Sequence, residues 1–204
     1  KSSLQFVANA YFMDYTNQLV LTGAIDEVGA PIRTNSGSSY RLGLELELSW
    51  ILSEQWQWQS NLTLSENKNR DFFFERDDEL QALGATNLSF SPNVVGGSQL
   101  SYSLKKDLKV SLFSKYVGEQ YLGNIDSALS KLAAYSTQDI NIQYTIAPSW
   151  CESLQLQLLL NNVLDEEYTS NGYFYTYDDD WTNPGMITTI EGVGYYPQAG
   201  SHFL

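Results

Sequence analysis

One cysteine, Cys151, and one histidine, His202, are all that the 204 residues contain of either. A lone cysteine excludes an intrachain disulfide and a thiolate metal cluster. Cys151 and His202 also fall about two strands apart, at opposite ends, so no Cys-His nucleophile pair is expected. Basic residues are scarce: 11 Lys and Arg face 24 Asp and Glu, a net charge of -13, which argues against a nucleic-acid partner. No hydrophobic run approaches the roughly 18 residues of a membrane-spanning helix, so any membrane crossing has to be made by strands. The opening K-S-S-L-Q-F carries no secretory signal. Its removal by processing, or a position within a longer protein, is the expectation. What is abundant is aromatic surface, 14% of residues and 14 of them Tyr.

The clearest pattern is Arg41 to Trp50, R-L-G-L-E-L-E-L-S-W. Leu42, Leu44, Leu46, Leu48 and Trp50 share one face, and Arg41, Gly43, Glu45, Glu47 and Ser49 share the other. A period of two is a strand signal, because successive side chains of a strand point to opposite sides. Similar alternation recurs at 4–13, 56–65, 95–104, 108–116, 139–146 and 154–160, and a further strand starts at the end of the sequence. Short turns at 53–55, 105–107 and around Pro148 alternate with long connections at 16–39, 67–87, 118–134 and 161–197. Tight turns on one side and long loops on the other are what an up-and-down outer-membrane barrel requires. Aromatics gather at both ends of the apolar faces. Trp50, Trp56, Trp58, Tyr102, Tyr144 and Trp150 lie by the short turns, and Phe12, Tyr15, Tyr40, Tyr116, Tyr135 and Tyr168 by the long loops, as two interfacial girdles would. The predicted fold is all-β, with antiparallel transmembrane strands, leucines toward lipid and polar residues toward a lumen. Glu45 and Glu47 are expected to line that lumen paired with Lys or Arg.

Several stretches are similar to one family. N-N-V-L-D-E-E-Y, Asn161 to Tyr168, resembles the segment near the C-terminus of TonB-dependent outer-membrane receptors. Met13, Asp14, Tyr15, Asn17, Gln18, Leu19, Gly43 and Glu45, with the closing Y-Y-P-Q-A-G-S-H-F-L, resemble Bacteroidetes-like versions of the same family, of siderophore more than glycan type. The resemblance covers residues 1–204 and implies the last eight or so strands of a barrel of about 22, with the final strand truncated. It further implies a Gram-negative outer-membrane location and import of a scarce ligand, an iron-siderophore or similar chelate, driven by TonB. The implied partners are the rest of the barrel, a plug domain, TonB through an N-terminal region outside this chain, lipid and a small-molecule ligand. A stand-alone eight-stranded barrel, passive and without energised transport, is the alternative.

Catalytic chemistry finds no support. Asp178 to Asp180 with Asn183 or Glu191 have oxygen ligands suited to calcium but no EF-hand spacing, so solvated acidity is the expectation, with no metal and no cofactor. Binding residues are sought instead in the loop that interleaves Tyr173, Phe174, Tyr175, Tyr177 and Trp181 with glycines and acids. Large rings with polar tips give contact area at low entropy cost. Tyr173, Tyr175, Tyr177 and Trp181 are therefore candidate ligand contacts, with packing of loop against loop as the competing role. Acidic residues far outnumber basic ones in the long connections, which favours a neutral, cationic or bulky ligand.

Overall fold

The computed structural model describes residues 2–25, 28, 31–35, 37–198 and 202–203. Asp26, Glu27 and Gly29 of the first long connection, and Ala199, Gly200, Ser201 and Leu204 of the closing segment, lie outside them. In chain order the strands are β1 (Ser3–Thr16), β2 (Leu19–Ile25), β3 (Pro31–Asn35), β4 (Ser38–Ile51), β5 (Trp56–Arg76), β6 (Glu79–Asn87) and β7 (Val94–Lys105). They continue with β8 (Leu108–Val117), β9 (Gln120–Tyr121), a 3-10 turn at Ala128–Ser130, β10 (Lys131–Leu132), β11 (Tyr135–Ile146), β12 (Leu154–Asn161), β13 (Tyr168–Asp179), β14 (Thr188–Gln198) and β15 (His202–Phe203).

Eight of these form one antiparallel wall in the order β1-β4-β5-β7-β8-β11-β12-β15. The register carries the alternation of each strand across its neighbours. Leu46 faces Ala8 on one side and Leu62 on the other, Leu100 faces Leu112, and Ile142 faces Leu158, so the apolar side chains form one continuous band. On the reverse face Asn9 meets Glu45, Glu47 meets Asn61 and Ser101 meets Ser111, whose hydroxyls lie 2.8 Å apart. Gly43 interrupts the organising strand for a steric reason: a Cβ there would lie 2.6 Å from the Tyr11 hydroxyl and 2.7 Å from the Leu64 carbonyl oxygen. Glu45 accepts a hydrogen bond from the Asn9 side-chain amide at 3.0 Å, so its observed partner is an amide and not the expected Lys or Arg. The register decides this, because it sets Asn9 opposite Glu45.

Aromatic pairs mark both rims of the band. Trp50 and Trp58 lie 6.5 Å apart and Trp56 stacks on Tyr102 at 4.4 Å near the short turns, while Phe12 and Tyr40 lie 6.4 Å apart near the long loops. Three residues expected in the outer girdle are elsewhere. Tyr15 and Tyr135 share the odd-numbered, polar face of their strands, and Tyr168 stacks on Tyr135 at 4.2 Å. Proximity to a rim does not place a ring on the lipid side; strand parity does.

The long connections depart most from the sequence reading, because they hold strands of their own. β5 runs on past the wall as far as Arg76, turns through Asp77 and Asp78, both in the left-handed region (φ 55° and 60°), and returns as β6. Two successive positive φ values are what a tight hairpin turn needs. Periodicity missed this hairpin because its register shifts between Asn69 and Phe73, moving the buried positions from odd (Asn67, Asn69) to even (Phe72, Phe74). Within 16–39, β2 pairs with β3, and within 161–197, β13 pairs with β14. The N-N-V-L-D segment makes the bend between β12 and β13. Asn162 takes φ 48°, its side-chain amide donates to the Glu166 carbonyl at 2.9 Å, and its side-chain oxygen accepts from the Glu166 N–H at 3.1 Å. Asn suits the position because its short amide can bond locally while the backbone is left-handed.

The wall assignment predicts unequal effects of a cation on its two faces. Leu46→Arg, at mid-strand on the apolar face, should cost about 2 to 4 kcal/mol and impair heat-resistant barrel formation on gels, whereas Glu47→Arg should be tolerated. Equal tolerance of both would refute the assignment.

Candidate functional site

Above the wall the long connections merge into a cap. Its core is Val20 from β2, Phe72 and Phe74 from the outer part of β5, and Leu88 just after β6, with Leu83 and Ile125 packed against them. Polar ties supplement the core. Arg76 pairs with Glu191 at 2.5 Å, and Ser127 donates to the other Glu191 oxygen. The Thr189 N–H donates to Asp77 at 2.7 Å, and the Asp77 N–H donates to the Thr189 hydroxyl at 2.8 Å. Asp126 accepts from the backbone N–H of Asn87 at 3.0 Å and from its side-chain amide at 3.1 Å. The Tyr195 hydroxyl donates to the Leu129 carbonyl at 2.8 Å. The β5–β6 hairpin, the 118–134 connection and the β13–β14 hairpin are thus each bonded to the other two.

The β13–β14 hairpin divides its side chains between two tasks. One face, with Gly172, Phe174 and Thr176, packs on the cap: a Cβ on Gly123 would lie 2.6 Å from the Phe174 ring, and one on Gly172 would lie 3.0 Å from Leu122. The other face carries the aromatic candidates. Tyr173 to Tyr175, Tyr175 to Tyr177 and Tyr177 to Trp181 are separated by 6.1, 6.4 and 6.0 Å between ring centroids, with interplanar angles of 22°, 17° and 4°. All four predicted residues therefore come together in one ladder: Tyr173, Tyr175 and Tyr177 on β13 and Trp181 just beyond its end.

Sequence reasoning missed three members of this arrangement. Tyr196 extends the ladder, 6.1 Å from Tyr173. Gly194 and Gly192 lie in register with Tyr173 and Tyr175, and a Cβ on either would fall 2.4 Å or 2.3 Å from the ring opposite. The signal was present as alternate tyrosines in Y-F-Y-T-Y facing alternate glycines in E-G-V-G-Y, and aligning them requires knowing that the two segments pair.

The ladder's direction follows from register. Tyr168 pairs with Gln198 and Asn171 with Tyr196. Gln198 and Tyr196 are two apart on β14, so Tyr168 and Asn171 share a face in spite of the irregularity between them. Tyr168 stacks on Tyr135, which belongs to the polar face of the wall. The hairpin that carries the ladder is therefore anchored at Tyr168 on the face toward the lumen. β13 also pairs in parallel with β2 at Thr176 and Ala24, joining loops rooted at opposite ends of the wall. Beside that junction lies a cavity of about 590 Å³, lined by Arg33, Asp71, Phe73, Glu75, Tyr177 and Asp178 among others. A second, polar groove on the lumen face is lined by Gln5, Glu47, Gln59, Asn61, Lys115 and Asp139.

The acids at the hairpin tip do not converge. Asp178 accepts from the Thr189 hydroxyl at 2.8 Å, Glu191 is engaged by Arg76 and Ser127, and Asp179 accepts from the backbone of Trp181 at 3.2 Å and of Thr182 at 3.0 Å. Among the described residues no group of carboxylates, His or Cys is placed to hold a metal ion. The Thr182 side chain, then its backbone N–H, holds the Asp179 carboxyl below its ordinary pKa. That turn sets the position of Trp181.

Residues 1–163 match the family model described as TonB dependent receptor-like, beta-barrel. Among solved structures, the siderophore receptor PiuA from Acinetobacter baumannii is 18% identical, with 98% of this chain and 26% of that one covered at a TM-score of 0.64. The copper transporter OprC is 19% identical, with 98% and 28% covered at 0.65. The ferric yersiniabactin uptake receptor FyuA from Yersinia pestis is 17% identical, with 98% and 28% covered at 0.60. The chain spans about a quarter of the length of these structures. No curated protein matches it.

Two outcomes are predicted for the cap. Phe72→Ala should cost about 3 to 5 kcal/mol and speed hydrogen exchange together in the three connections that meet at this core, β2, β5–β6 and 118–134, whereas Arg76→Ala, a partly exposed pair, should cost about 1 kcal/mol or less. Acceleration confined to β5–β6 would contradict the shared core. The Asp179 turn is stabilised above the ordinary carboxylate pKa, and this is lost as pH falls through the depressed folded value. Difference fluorescence against Trp181→Phe should therefore show a constant Trp181 signal through mild acid and a change only below the usual carboxylate range. A transition at or above that range would contradict the assignment.

Proposed function

Because the chain belongs to the TonB-dependent receptor β-barrel family, we propose that the protein it forms part of binds a scarce ligand, an iron-siderophore or similar chelate, at its outer loops and imports it with TonB energy. The chain is part of the outer-membrane β-barrel of a transporter family, not an enzyme family. The observation that carries the ligand-binding reading is the aromatic ladder Tyr173–Tyr175–Tyr177–Trp181, in which Tyr173, Tyr177 and Trp181 are exposed. These four residues are the proposed ligand contacts, with the adjoining cavity at Tyr177. The rest of the barrel, a plug and TonB are the partners this reading requires.

Two neighbours are named for siderophores or their ferric complexes and one for copper, which supports a chelated metal as cargo. Among the described residues β15 pairs with only Leu160 and Asn161 of β12, and backbone left unpaired in hydrocarbon costs several kcal/mol per group.

The test is uptake of radiolabelled ferric chelates by cells that depend on the complete receptor. Uptake should cease when TonB is deleted or the proton gradient is collapsed, and Trp181→Ala with Tyr175→Ala should weaken ligand binding at least tenfold. Uptake that persists without TonB would make the protein a passive pore.

A further inference from the structure

Asn171 and Gly172 make the one Asn-Gly pair in the sequence, and they sit near the foot of β13 where the strand is irregular. Thr169 pairs with Pro197 and Asn171 with Tyr196, so Ser170 is the extra residue of a bulge. Pro197 brings no N–H to the ladder there, which leaves this end of the hairpin with fewer bonds than the rows above it. Asn171 is exposed, and its side chain folds back on the main chain: the Gly172 N–H donates to Asn171 Oδ1 at 2.8 Å. The carboxamide carbon, Cγ, is one carbonyl bond of about 1.2 Å from that oxygen, so it stands within about 4 Å of the Gly172 nitrogen. Packing requires the glycine. A Cβ on Gly172 would lie 2.4 Å from the Gly194 carbonyl oxygen and 3.0 Å from the Leu122 side chain. The same missing Cβ leaves the Gly172 nitrogen open to close approach.

We propose that Asn171 is a self-modification site, converted through a cyclic imide with Gly172 to aspartate and isoaspartate. Hydroxide removes the Gly172 amide proton, and the nitrogen attacks Asn171 Cγ. The N–Cγ bond forms, the Cγ–Nδ2 bond breaks, and Nδ2 leaves as ammonia after taking a proton from water. Water then opens the ring at either carbonyl, so the net change is one water consumed and one ammonia released. Both products alter the hairpin. Asn171 lies one alternate position below Tyr173 on the same face of β13, so either product adds a negative charge at the foot of the aromatic row. Isoaspartate also routes the chain through Cβ and Cγ, which inserts a methylene into the main chain between Asn171 and Gly172. The register that sets Tyr173 against Gly194 and Tyr175 against Gly192 begins at that point, so the added length acts on the whole row.

The experiment ages the complete receptor in detergent at physiological temperature, over a pH series from neutral to alkaline. A free peptide with the sequence Tyr168 to Thr176 is aged beside it as the clock. Digestion in heavy-oxygen water marks any conversion during work-up, and electron-transfer fragmentation separates isoaspartate from aspartate. Asn171 should be the first asparagine of the folded receptor to lose its amide, giving both products at a rate that rises with hydroxide concentration. Asn171→Gln, which enlarges the ring that must close, should abolish conversion at this position. Hydrogen exchange at Gly194 to Tyr196 should quicken in aged receptor and stay near the unaged rate in Asn171→Asp, which carries the charge without the added methylene. Asn171 still amidated when the peptide has fully converted would overturn the proposal, and so would conversion confined to denatured receptor. Aspartate formed without isoaspartate would overturn the imide route, and exchange unchanged by ageing would overturn the effect on register.

Discussion

In hydrocarbon a backbone N–H or C=O has no water to bond, so a strand is tolerated only with a neighbour on each side. The architecture follows from that constraint. It explains why the polar ladder between strands is continuous over Ser3 to Ile51, from β1 to β4, and why short turns suffice on one side. It also fixes the side-chain pattern, since a wall between lipid and water must present one chemistry on each face. The leucines of β4 and β12 and the glutamates and glutamines between them are consequences of the same pairing.

Outside the bilayer the constraint relaxes and ordinary packing takes over. There the chain builds a small core from Val20, Phe72, Phe74 and Leu88, and each fully buried apolar side chain contributes about 1.5 to 3 kcal/mol. That core joins β2 to the β5–β6 hairpin, with Ile125 of the 118–134 connection packed against it, and Asp126, Glu191 and Thr189 tie the β13–β14 hairpin and the 118–134 connection to β5–β6. The β13–β14 hairpin leans its Phe174 face on Gly123 and Leu122 of the 118–134 connection and is left with an aromatic face on which Tyr173, Tyr177 and Trp181 are exposed. The exposed ladder is thus a product of how the cap is held, and binding is the use its position suggests.

The wall was legible in the sequence because lipid enforces a strict period of two, and a strict period can be read from residues alone. Arg41 to Trp50 is the plainest case. The loop strands were not legible, because in water a strand can bulge, change its buried face between Asn69 and Phe73, and take left-handed turns at Asp77 and Asp78. The four ladder aromatics were legible as a composition and their arrangement was not, since it depends on pairing Tyr173 with Gly194 across a hairpin. Tyr15, Tyr135 and Tyr168 show the complementary error, in which position along the strand was read correctly and the face was not.

Everything above depends on which face of the wall meets lipid. Nitroxide labels at Leu44, Glu45, Gln155 and Leu156 of the complete receptor in bilayers, with oxygen and a water-soluble nickel chelate as paired quenchers, report it directly. The account predicts that oxygen quenches the labels at Leu44 and Leu156 while the nickel chelate acts on those at Glu45 and Gln155. Preferential oxygen quenching at Glu45 and Gln155 would contradict it.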